Sequence, residues 1–140
     1  MRVAGDTVSA IDGGLLVFLG IEHGDTAEDA DGMADKTAEL RIFPDDAGKM
    51  NRSVEDTAGS ILVVSQFTLA GSTRKGRRPS FHRAAPPEIA VPVYRRFIER
   101  LAGRGLSVAE GVFQTMMEVE LVNDGPVTLL LDPFGREEVR

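Results

Sequence analysis

The chain has 140 residues, a formal net charge of −6 and no cysteine, so it is long enough for one domain, residues 1–140, and cannot form a disulfide, a thiolate nucleophile or a cysteine-ligated zinc site. Its apolar runs are shorter than the ~20 residues that a membrane span needs, and its first residues lack the apolar stretch of a signal peptide. We therefore expect a cytoplasmic protein without a membrane partner, whose chemistry comes from oxygen, nitrogen and backbone groups.

Two continuous apolar runs predict buried β-strands. Residues 14–20 form an apolar segment between glycines, and residues 60–67 form a second one that is rich in β-branched side chains. Runs of this length without alternation are typical of strands that are covered on both faces, and we expect the first to be central in its sheet. The second run becomes polar at Ser65 and Gln66, and ligand chemistry commonly lies at the carboxyl ends of such strands.

Two amphipathic helices are predicted between and after these strands. The first begins at a cap formed by Asp25 or Thr26. Its core-facing stripe consists of Ala30, Met33, Ala34, Thr37, Ala38 and Leu40. The second begins at residues 86–88, where proline is tolerated in the first turn, and ends near Gly103 and Gly105. Its two core-facing rows are Ile89, Val93, Phe97 and Leu101, with Ala90, Tyr94 and Ile98 beside them.

Shorter elements complete the predicted order. Residues 41–43 predict a short strand, and residues 44–49 have the composition of a tight turn. Residues 117–121 alternate between apolar and acidic side chains, and residues 127–131 form a further strand-like run after a Gly-Pro turn. Strands and helices that follow one another in this order predict a mixed α/β domain.

Basic residues are concentrated in one part of the chain. Residues 74–104 contain nine of the 16 lysines and arginines but only two of the 22 acidic residues. Because the remainder is acidic, an RNA contact should be local. For Arg95, Arg96, Arg100 and Arg104 we favour an ordinary solvated helix face. For a second group, which we call the basic loop, we favour contact with phosphate; its residues are Arg74, Lys75, Arg77 and Arg78.

Common catalytic motifs do not occur in the sequence. It has no Gly-x-x-x-x-Gly-Lys-Ser/Thr phosphate loop, no His-Glu-x-x-His zinc helix and no Gly-x-Ser-x-Gly nucleophile turn. His23 and His82 lie in loops, where a surface or capping role is favoured over general-base catalysis. The remaining candidate site is the segment from Ser65 to Leu69, with the alternative that Ser65 and Thr68 only end a strand. We predict neither a metal ion nor a cofactor.

Several segments resemble the D-aminoacyl-tRNA deacylases, in the order in which that family has them. They extend over residues 3–132. The segments are Leu40-Arg41-Ile42-Phe43, Gly48-Lys49-Met50-Asn51, Ser65-Gln66-Phe67-Thr68-Leu69, Arg74-Lys75-Gly76-Arg77-Arg78-Pro79-Ser80-Phe81, Glu120-Leu121-Val122-Asn123 and Asn123-Asp124-Gly125-Pro126-Val127-Thr128.

The resemblance implies a three-layer α/β/β fold, with two β layers and both main helices on one side, in a symmetric homodimer. It also implies hydrolysis of the ester bond of D-aminoacyl-tRNA and of mischarged glycyl-tRNA, without a cofactor. A cis Gly125-Pro126 peptide from the partner subunit would reject L-amino acids. The basic loop would meet tRNA phosphates, and no DNA partner is expected. The segment whose main-chain amides would bind the scissile ester and terminal adenosine is Ser65, Gln66, Phe67 and Thr68.

Two catalytic roles are open for Thr68. It could be the nucleophile, although the sequence shows no His or Asp base to activate it. Alternatively, the neighbouring ribose 2′-hydroxyl assists the attack while the protein positions the ester and stabilises the oxyanion, and we favour this role. Two rival functions are a tRNA-binding or interaction protein of the same fold with lost or weak catalysis, and an unrelated esterase that uses Thr68.

The chain departs from the family pattern in two places. The strand with a Gln-Arg-Val-like segment that usually begins family members has no counterpart before Val3. Either the start of the chain is placed too late or this element is lost, and its loss would leave a sheet edge or a core face uncovered. Residues 113–116 read Phe-Gln-Thr-Met where the family generally has Phe-Gly-Ala. The larger, polar side chains of Gln114 and Thr115 could narrow or rewire the pocket.

Overall fold

The computed structural model describes residues 1–133, and residues 134–140 of the predicted domain lie outside the described residues. In this range the strands are Arg2–Val3 (β1), Asp6–Thr7 (β2), Gly14–Leu19 (β3), Phe43–Pro44 (β4), Met50–Arg52 (β5), Ser60–Ser65 (β6) and Ser107–Glu110 (β7). The helices are Ala27–Glu39 (α1) and Pro87–Gly103 (α2), and a 3-10 turn covers Phe67–Ala70. Neither α-helix of this range combines the length and the apolar content needed to cross a membrane.

A parallel sheet in the order β3, β6, β7 organises the fold. β6 is its central strand: Leu15 of β3 lies opposite Ile61, and Val108 of β7 lies opposite Ile61 on the other side. Its side chains from Ile61 to Val64 are at most 5% exposed. The prediction of a strand buried on both faces is therefore confirmed for this run.

β3 forms as predicted but does not take the predicted central position. In the described chain it pairs with β6 alone, and Phe18 on it is 40% exposed. The other side chains of β3 are only partly buried, so the predicted full burial on both faces is not reached. An apolar run does not show how many strands flank it, so the prediction of a central position was wrong.

α1 begins where its capping sequence predicts. Thr26 Oγ1 accepts a hydrogen bond from the Asp29 amide at 3.2 Å, and Asp29 Oδ2 accepts one from the Thr26 amide at 2.9 Å. This reciprocal pair is a capping box, which satisfies two amides that the helix itself cannot bond. Thr26 is therefore the cap, and Asp25 instead accepts a hydrogen bond from the Glu22 amide at 2.8 Å.

α2 begins at Pro87, with Pro86 as its cap, and ends at Gly103 as predicted. Most of its two predicted rows are buried against the sheet. The buried residues are Ala90, Val93, Tyr94, Phe97, Ile98 and Leu101. Ile89 was predicted in the same row but is 42% exposed, so the buried part of that row begins at Val93.

Ion pairs join α1 and α2 on their outer side. Arg96 donates two hydrogen bonds to Asp31, at 2.7 and 2.9 Å, and Arg100 donates two to Asp35, at 3.0 and 2.9 Å. Both pairs connect residues that are 65 positions apart, so the two helices run in the same direction. These hydrogen bonds hold the pKa of the Asp31 and Asp35 carboxyl groups below its ordinary value.

The other two helix arginines are also ion-paired. Arg95 contacts Glu110 at 2.8 Å. Arg104 contacts the carboxylates of Asp35, Glu39 and Glu55. Arg95, Arg96 and Arg100 are about half exposed, which agrees with the solvated helix face that the sequence favoured. Arg104 is only 25% exposed and does not fit that prediction.

The sheet separates two apolar clusters. One face, with Ile61 and Val63, packs against both helices. The other face, with Leu62 and Val64, packs against the N-terminal segment and residues 117–119. A mixed α/β fold with both helices on one side is therefore confirmed. On the opposite side, residues 1–133 form the β1–β2 hairpin and an extended chain segment, rather than a full second sheet.

The strands predicted at residues 117–121 and 127–131 are not formed in the described chain. Arg2 and Glu118 form one antiparallel bridge, in which each amide donates to the other residue's carbonyl, at 2.8 and 2.9 Å. Alternating side chains define two faces, but a strand also needs a neighbouring backbone along its length. Within residues 1–133 only Arg2 supplies such a partner to this segment.

Two short strands also differ from the prediction. The strand predicted at residues 41–43 begins later, at Phe43, and Arg41 instead contacts the opposite strand through its side chain: Arg41 Nε donates to the Asn51 carbonyl at 3.0 Å. β7 was not predicted. Its four residues, Ser107–Glu110, are too few to produce a clear periodicity.

Candidate active site

The segment from Ser65 to Leu69 lies where β6 leaves the sheet. Ser65 is the last residue of β6, and the Gln66 amide donates to the Leu19 carbonyl at the end of β3 at 2.9 Å. The chain then enters the 3-10 turn, in which the Leu69 amide donates to the Gln66 carbonyl at 3.2 Å. The first amides of such a turn have no acceptor within it. Sheet pairing thus fixes where the turn begins.

Thr68 is exposed on this turn and contacts Gln66. Gln66 Nε2 donates a hydrogen bond to Thr68 Oγ1. Among residues 1–133, no imidazole or carboxylate is hydrogen-bonded to Thr68 Oγ1. A hydroxyl that accepts from an amide is not deprotonated by it, so the arrangement orients the Thr68 side chain without activating it.

An aromatic pair connects the turn to the basic loop. The Phe67 and Phe81 ring centroids are 5.2 Å apart in an edge-to-face arrangement, and Phe67 is 57% exposed. The Ser72 amide donates to the Ser80 carbonyl at 2.7 Å, and the Ser80 amide donates back at 2.9 Å. These contacts close a loop whose tip is exposed. The tip contains the four predicted tRNA-binding residues, Arg74, Lys75, Arg77 and Arg78.

The two histidines lie near this loop and have structural contacts. His82 Nδ1 is 2.8 Å from Ser80 Oγ, and the His23 amide donates to the Arg83 carbonyl at 3.0 Å. Neither is hydrogen-bonded to Thr68 in the described part of the chain. Their positions agree with the loop roles that the sequence favoured.

The Gly125–Pro126 peptide bond is cis and lies in an exposed loop. Asn123 shapes this loop: its Nδ2 donates to Thr128 Oγ1 at 2.8 Å, and its Oδ1 accepts from the Val127 amide at 2.9 Å. Gly125 has a φ of +149°, which side-chain-bearing residues rarely adopt. Within one described chain, no hydrogen bond, ion pair or ring contact joins this loop to the 3-10 turn.

Residues after β7 reach the same edge of the sheet as Ser65. The Gly111 amide donates to the Val63 carbonyl at 2.9 Å, so the chain beyond Gly111 continues beside the end of β6. Gln114 has a φ of +55°, in the left-handed region that favours glycine. Thr115 Oγ1 donates to the Phe113 carbonyl at 3.2 Å. Gln114 and Thr115, which depart from the family pattern, therefore lie in a turn on the side of the sheet where β6 ends.

Tyr94 of α2 contacts this edge of the sheet from the helix side. Its hydroxyl donates to the Val63 carbonyl at 3.4 Å, and its ring lies 5.7 Å from that of Phe113. Burial raises the pKa of Tyr94 to about 12, so the phenol stays protonated at neutral pH. In sequence this tyrosine was indistinguishable from its core-facing neighbours.

Sequence reasoning also missed a buried charge at this edge. Glu22, three residues beyond β3, is only 8% exposed and contacts Arg83 Nη1 at 3.2 Å. A lone acid after an apolar run was the one signal for it. Among residues 1–133 there is no group of three or more His, Cys, Asp or Glu side chains arranged to hold a metal ion.

Comparisons with known proteins give a consistent result. A family model described as D-Tyr-tRNA(Tyr) deacylase matches residues 1–132. A D-aminoacyl-tRNA deacylase of Opitutus terrae is 57% identical over 138 residues, which cover 98% of this chain and 92% of the relative. Another, of Syntrophotalea carbinolica, is 61% identical over 127 residues, covering 91% and 85%.

Solved structures share the fold. One named "c-Myc DNA Unwinding Element Binding Protein" has a TM-score of 0.87 and 41% identity and covers 94% of this chain and 89% of its own. A second, described as a probable eukaryotic D-amino acid tRNA deacylase, has a TM-score of 0.61 and 19% identity and covers 72% and 75%. The second likeness concerns the fold alone. By the family match and the sequence relatives, the chain belongs to the D-Tyr-tRNA(Tyr) deacylase family and is a hydrolase.

Proposed function

We propose that this chain hydrolyses the ester that joins a D-amino acid, or mischarged glycine, to the terminal ribose of tRNA. The observation that carries the proposal is the exposed 3-10 turn at the end of β6, which holds Phe67 and Thr68 beside the sheet edge. Family membership supplies the reaction class. The products are free amino acid and tRNA, and no cofactor takes part.

In the proposed mechanism the backbone stabilises the transition state. Water adds to the ester carbonyl, the carbon–oxygen bond to the ribose breaks, and the ribose oxygen takes up a proton. Amides of the segment from Ser65 to Thr68 bind the ester and the terminal adenosine, and N–H groups donate to the developing oxyanion. The ribose 2′-hydroxyl assists the attack. Thr68 positions the substrate, which its hydrogen bond from Gln66 supports.

Chirality is proposed to be read by a second copy of the chain. The Gly125–Pro126 loop of one subunit enters the site of its partner and excludes an L side chain by steric conflict, while a D side chain or glycine is admitted. Exposed apolar residues flank the loop, as at a protein interface: Leu121, Val122, Leu129 and Leu130 are 53%, 91%, 56% and 52% exposed. We therefore propose a symmetric homodimer as the active form.

The tRNA backbone is proposed to lie along the basic loop. This loop is held on the narrow Ser72–Ser80 neck and is exposed throughout its tip. Its charges stand out from a chain of net charge −6, so the contact is local and screened by salt. We keep the prediction that tRNA, and not DNA, is the partner.

Turnover of aminoacyl-tRNA tests this proposal against its rivals. The protein is mixed with D-tyrosyl-tRNA, with glycyl-tRNA and with p-nitrophenyl acetate, a simple ester, and release of each acyl group is measured. We expect turnover of both tRNA esters and none of the simple ester. Tight tRNA binding without turnover would instead identify a binding protein of this fold. Turnover of the simple ester in the absence of RNA would identify an unrelated esterase.

A further inference from the structure

A single guanidinium connects the end of β3 to the turn that contains Thr68. Arg83 Nη1 contacts Glu22 Oε1 at 3.2 Å, and Arg83 Nη2 donates to the Ala70 carbonyl at 3.2 Å. Ala70 is the last residue of the 3-10 turn and is 2% exposed, and Glu22 is buried as well. Arg83 therefore joins two buried groups that come from different parts of the chain.

The backbone of Arg83 is itself fixed against the extension of β3. Its carbonyl accepts a hydrogen bond from the His23 amide at 3.0 Å, and the Ala85 amide donates to the Ile21 carbonyl at 2.9 Å. Arg83 belongs to the segment 66–85, and at the start of that segment the Gln66 amide donates to the Leu19 carbonyl. Both ends of the segment are thus hydrogen-bonded to β3 or to the residues that directly follow it. The Arg83 side chain adds a third contact, to the turn between these ends.

The turn lies so close to β3 that a small displacement would matter. A Cβ atom added to Gly20 would be 3.1 Å from the Gln66 carbonyl oxygen and 3.1 Å from Leu69 Cβ. Such contacts are tighter than ordinary van der Waals packing. The turn therefore packs closely against Gly20, the residue directly after β3, and the contacts at its far end, at Ala70, help to set the direction of its amides.

We propose that Arg83, held by Glu22, is a positioning residue for the deacylation reaction. By fixing the Ala70 carbonyl, it holds the 3-10 turn so that the amides near Phe67 and Thr68 meet the ester. This inference rests on the proposed function. It assigns Arg83 to the chemical step and not to tRNA affinity, although Arg83 lies in the same part of the chain as the basic loop.

Arginine suits this role better than lysine does. The guanidinium presents N–H groups in a rigid fork, so two nitrogens can serve Glu22 and Ala70 at the same time. A lysine has one nitrogen on a flexible stem. Arg83→Lys should therefore keep the charge contact with Glu22 while losing the fixed bond to the Ala70 carbonyl, which separates positioning of the turn from charge pairing.

The test compares Arg83→Lys, Arg83→Met and Glu22→Gln with the wild-type chain. The matched control is Arg96→Met, which removes an arginine that pairs with Asp31 on the helix surface. For each protein we would measure the maximum single-turnover rate on D-tyrosyl-tRNA, the concentration for half-saturation, its salt dependence and the thermal midpoint. Wild-type turnover, measured alongside, tests the proposed function itself.

We expect the maximum rate to fall about 10- to 100-fold in Arg83→Met and Arg83→Lys, because a 1 Å misplacement of catalytic groups can cost about 100-fold. Half-saturation and its salt dependence should stay unchanged, and Arg96→Met should keep the full rate. Glu22→Gln should lower the maximum rate in the same way. The double variant Glu22→Gln, Arg83→Met should be little slower than Arg83→Met alone, because both changes remove the same contact.

Three results would overturn the inference. In the first, the folded Arg83→Lys protein keeps the wild-type rate. In the second, the tRNA concentration for half-saturation and its salt dependence change while the maximum rate does not, which would make Arg83 a phosphate contact. In the third, the thermal midpoint falls and the rate at low temperature is retained, which would make the role structural only. An inactive wild-type chain would instead refute the proposed function, and the inference with it.

Discussion

Thr68 has the hydrogen bonding of a residue that orients substrate. Its oxygen accepts from Gln66, so its own proton remains available to donate to an ester or ribose oxygen. A nucleophilic hydroxyl would need a base that takes this proton, and the described chain has no imidazole or carboxylate bonded to it. The backbone, which cannot be removed by mutation of a side chain, would then supply most of the stabilisation of the transition state.

Thr68→Ala should therefore reduce deacylation of D-tyrosyl-tRNA without abolishing it. We expect a loss of about tenfold, since a positioning side chain contributes much less than a catalytic nucleophile, whose removal costs about 10⁴-fold or more. Single-turnover rates measure the effect, with circular dichroism and tRNA affinity as controls. Complete loss of turnover in a folded, tRNA-binding variant would favour Thr68 as the nucleophile.

The basic loop makes a separate prediction about tRNA affinity. In the double variant Arg77→Gln, Arg78→Gln, the slope of log affinity against log salt should decrease by about 0.7 to 0.9 for each phosphate that the variant no longer neutralises. The matched control is Arg100→Gln, because Arg100 is already paired with Asp35. Filter binding at several salt concentrations gives the slopes. Equal slopes for wild type and the double variant would remove the loop from the tRNA interface.

At the scale of single residues, the sequence identified the residues of local motifs but not their long-range partners. Ser65 to Leu69 and the basic loop are each continuous in sequence, so their residues could be named from the sequence. Glu22 and Arg83 are far apart in the chain and meet only because β3 and the loop before α2 converge. No local pattern in a single sequence contains that contact.

At the scale of elements, the two helices are joined by their surface charges as well as by the core. Asp35 accepts hydrogen bonds from both Arg100 and Arg104, and these bonds lower the pKa of its carboxyl group. A carboxyl group whose pKa is lower in the folded chain stabilises that chain above its unfolded pKa. The stabilisation is lost as the pH falls through the folded pKa.

Asp35→Asn should therefore lower the thermal midpoint at neutral pH, by a few degrees at most because the pair is exposed to solvent. The difference from wild type should shrink as the pH falls below the ordinary carboxyl range and should also shrink in high salt. Asp46→Asn, in an exposed turn, is the control and should have no such effect. Calorimetry across pH measures both. A destabilisation that is independent of pH would contradict this account of the helix pair.

The elements show where periodicity succeeds as a predictor and where it fails. Helix caps and stripes depend on neighbours within a few residues, so the start of α1 was narrowed correctly to Asp25 or Thr26 and that of α2 to residues 86–88. A strand depends on a partner backbone elsewhere. That is why residues 117–121, which alternate, and residues 127–131, a strand-like run, have a single bridge within the described chain, and why β3 lies at an edge.

At the scale of the whole molecule, one isolated chain leaves much apolar surface uncovered near the Gly125–Pro126 loop. Val122 is 91% exposed, and Leu121, Leu129 and Leu130 are each more than half exposed. Several large apolar side chains exposed close together in sequence are typical of a protein interface. The proposed function requires that a second copy covers this surface and places its Gly-Pro loop at the first copy's turn.

Val122→Asp should therefore convert the chain from dimer to monomer and abolish turnover, because a charge buried in an interface has no partner there. Val91→Asp, on the outer side of α2, is the control and should remain dimeric. Light scattering after size-exclusion chromatography measures the mass of each, and the tRNA assay measures activity. A wild-type chain that is monomeric and fully active would contradict the shared site.

Gly125→Ala tests the selecting loop without touching the 3-10 turn. At a φ of +149°, an added Cβ atom would lie 2.9 Å from Val127 Cγ2 and 3.1 Å from the Val127 amide nitrogen. The loop must move to relieve this contact. We expect about a 10- to 100-fold lower rate on D-tyrosyl-tRNA, given that misplacement of about 1 Å can cost about 100-fold, while the mass of the dimer stays the same. An unchanged rate would separate this loop from the site.

The most direct test of the account compares the loss of D-tyrosyl and L-tyrosyl esters from the same tRNA by the wild-type chain. We predict that the D ester is hydrolysed at least about 100-fold faster, a discrimination that corresponds to ~2.7 kcal/mol. The L ester should decay at its uncatalysed rate. Equal hydrolysis of both esters would contradict chiral selection, and hydrolysis of neither would contradict the deacylase mechanism.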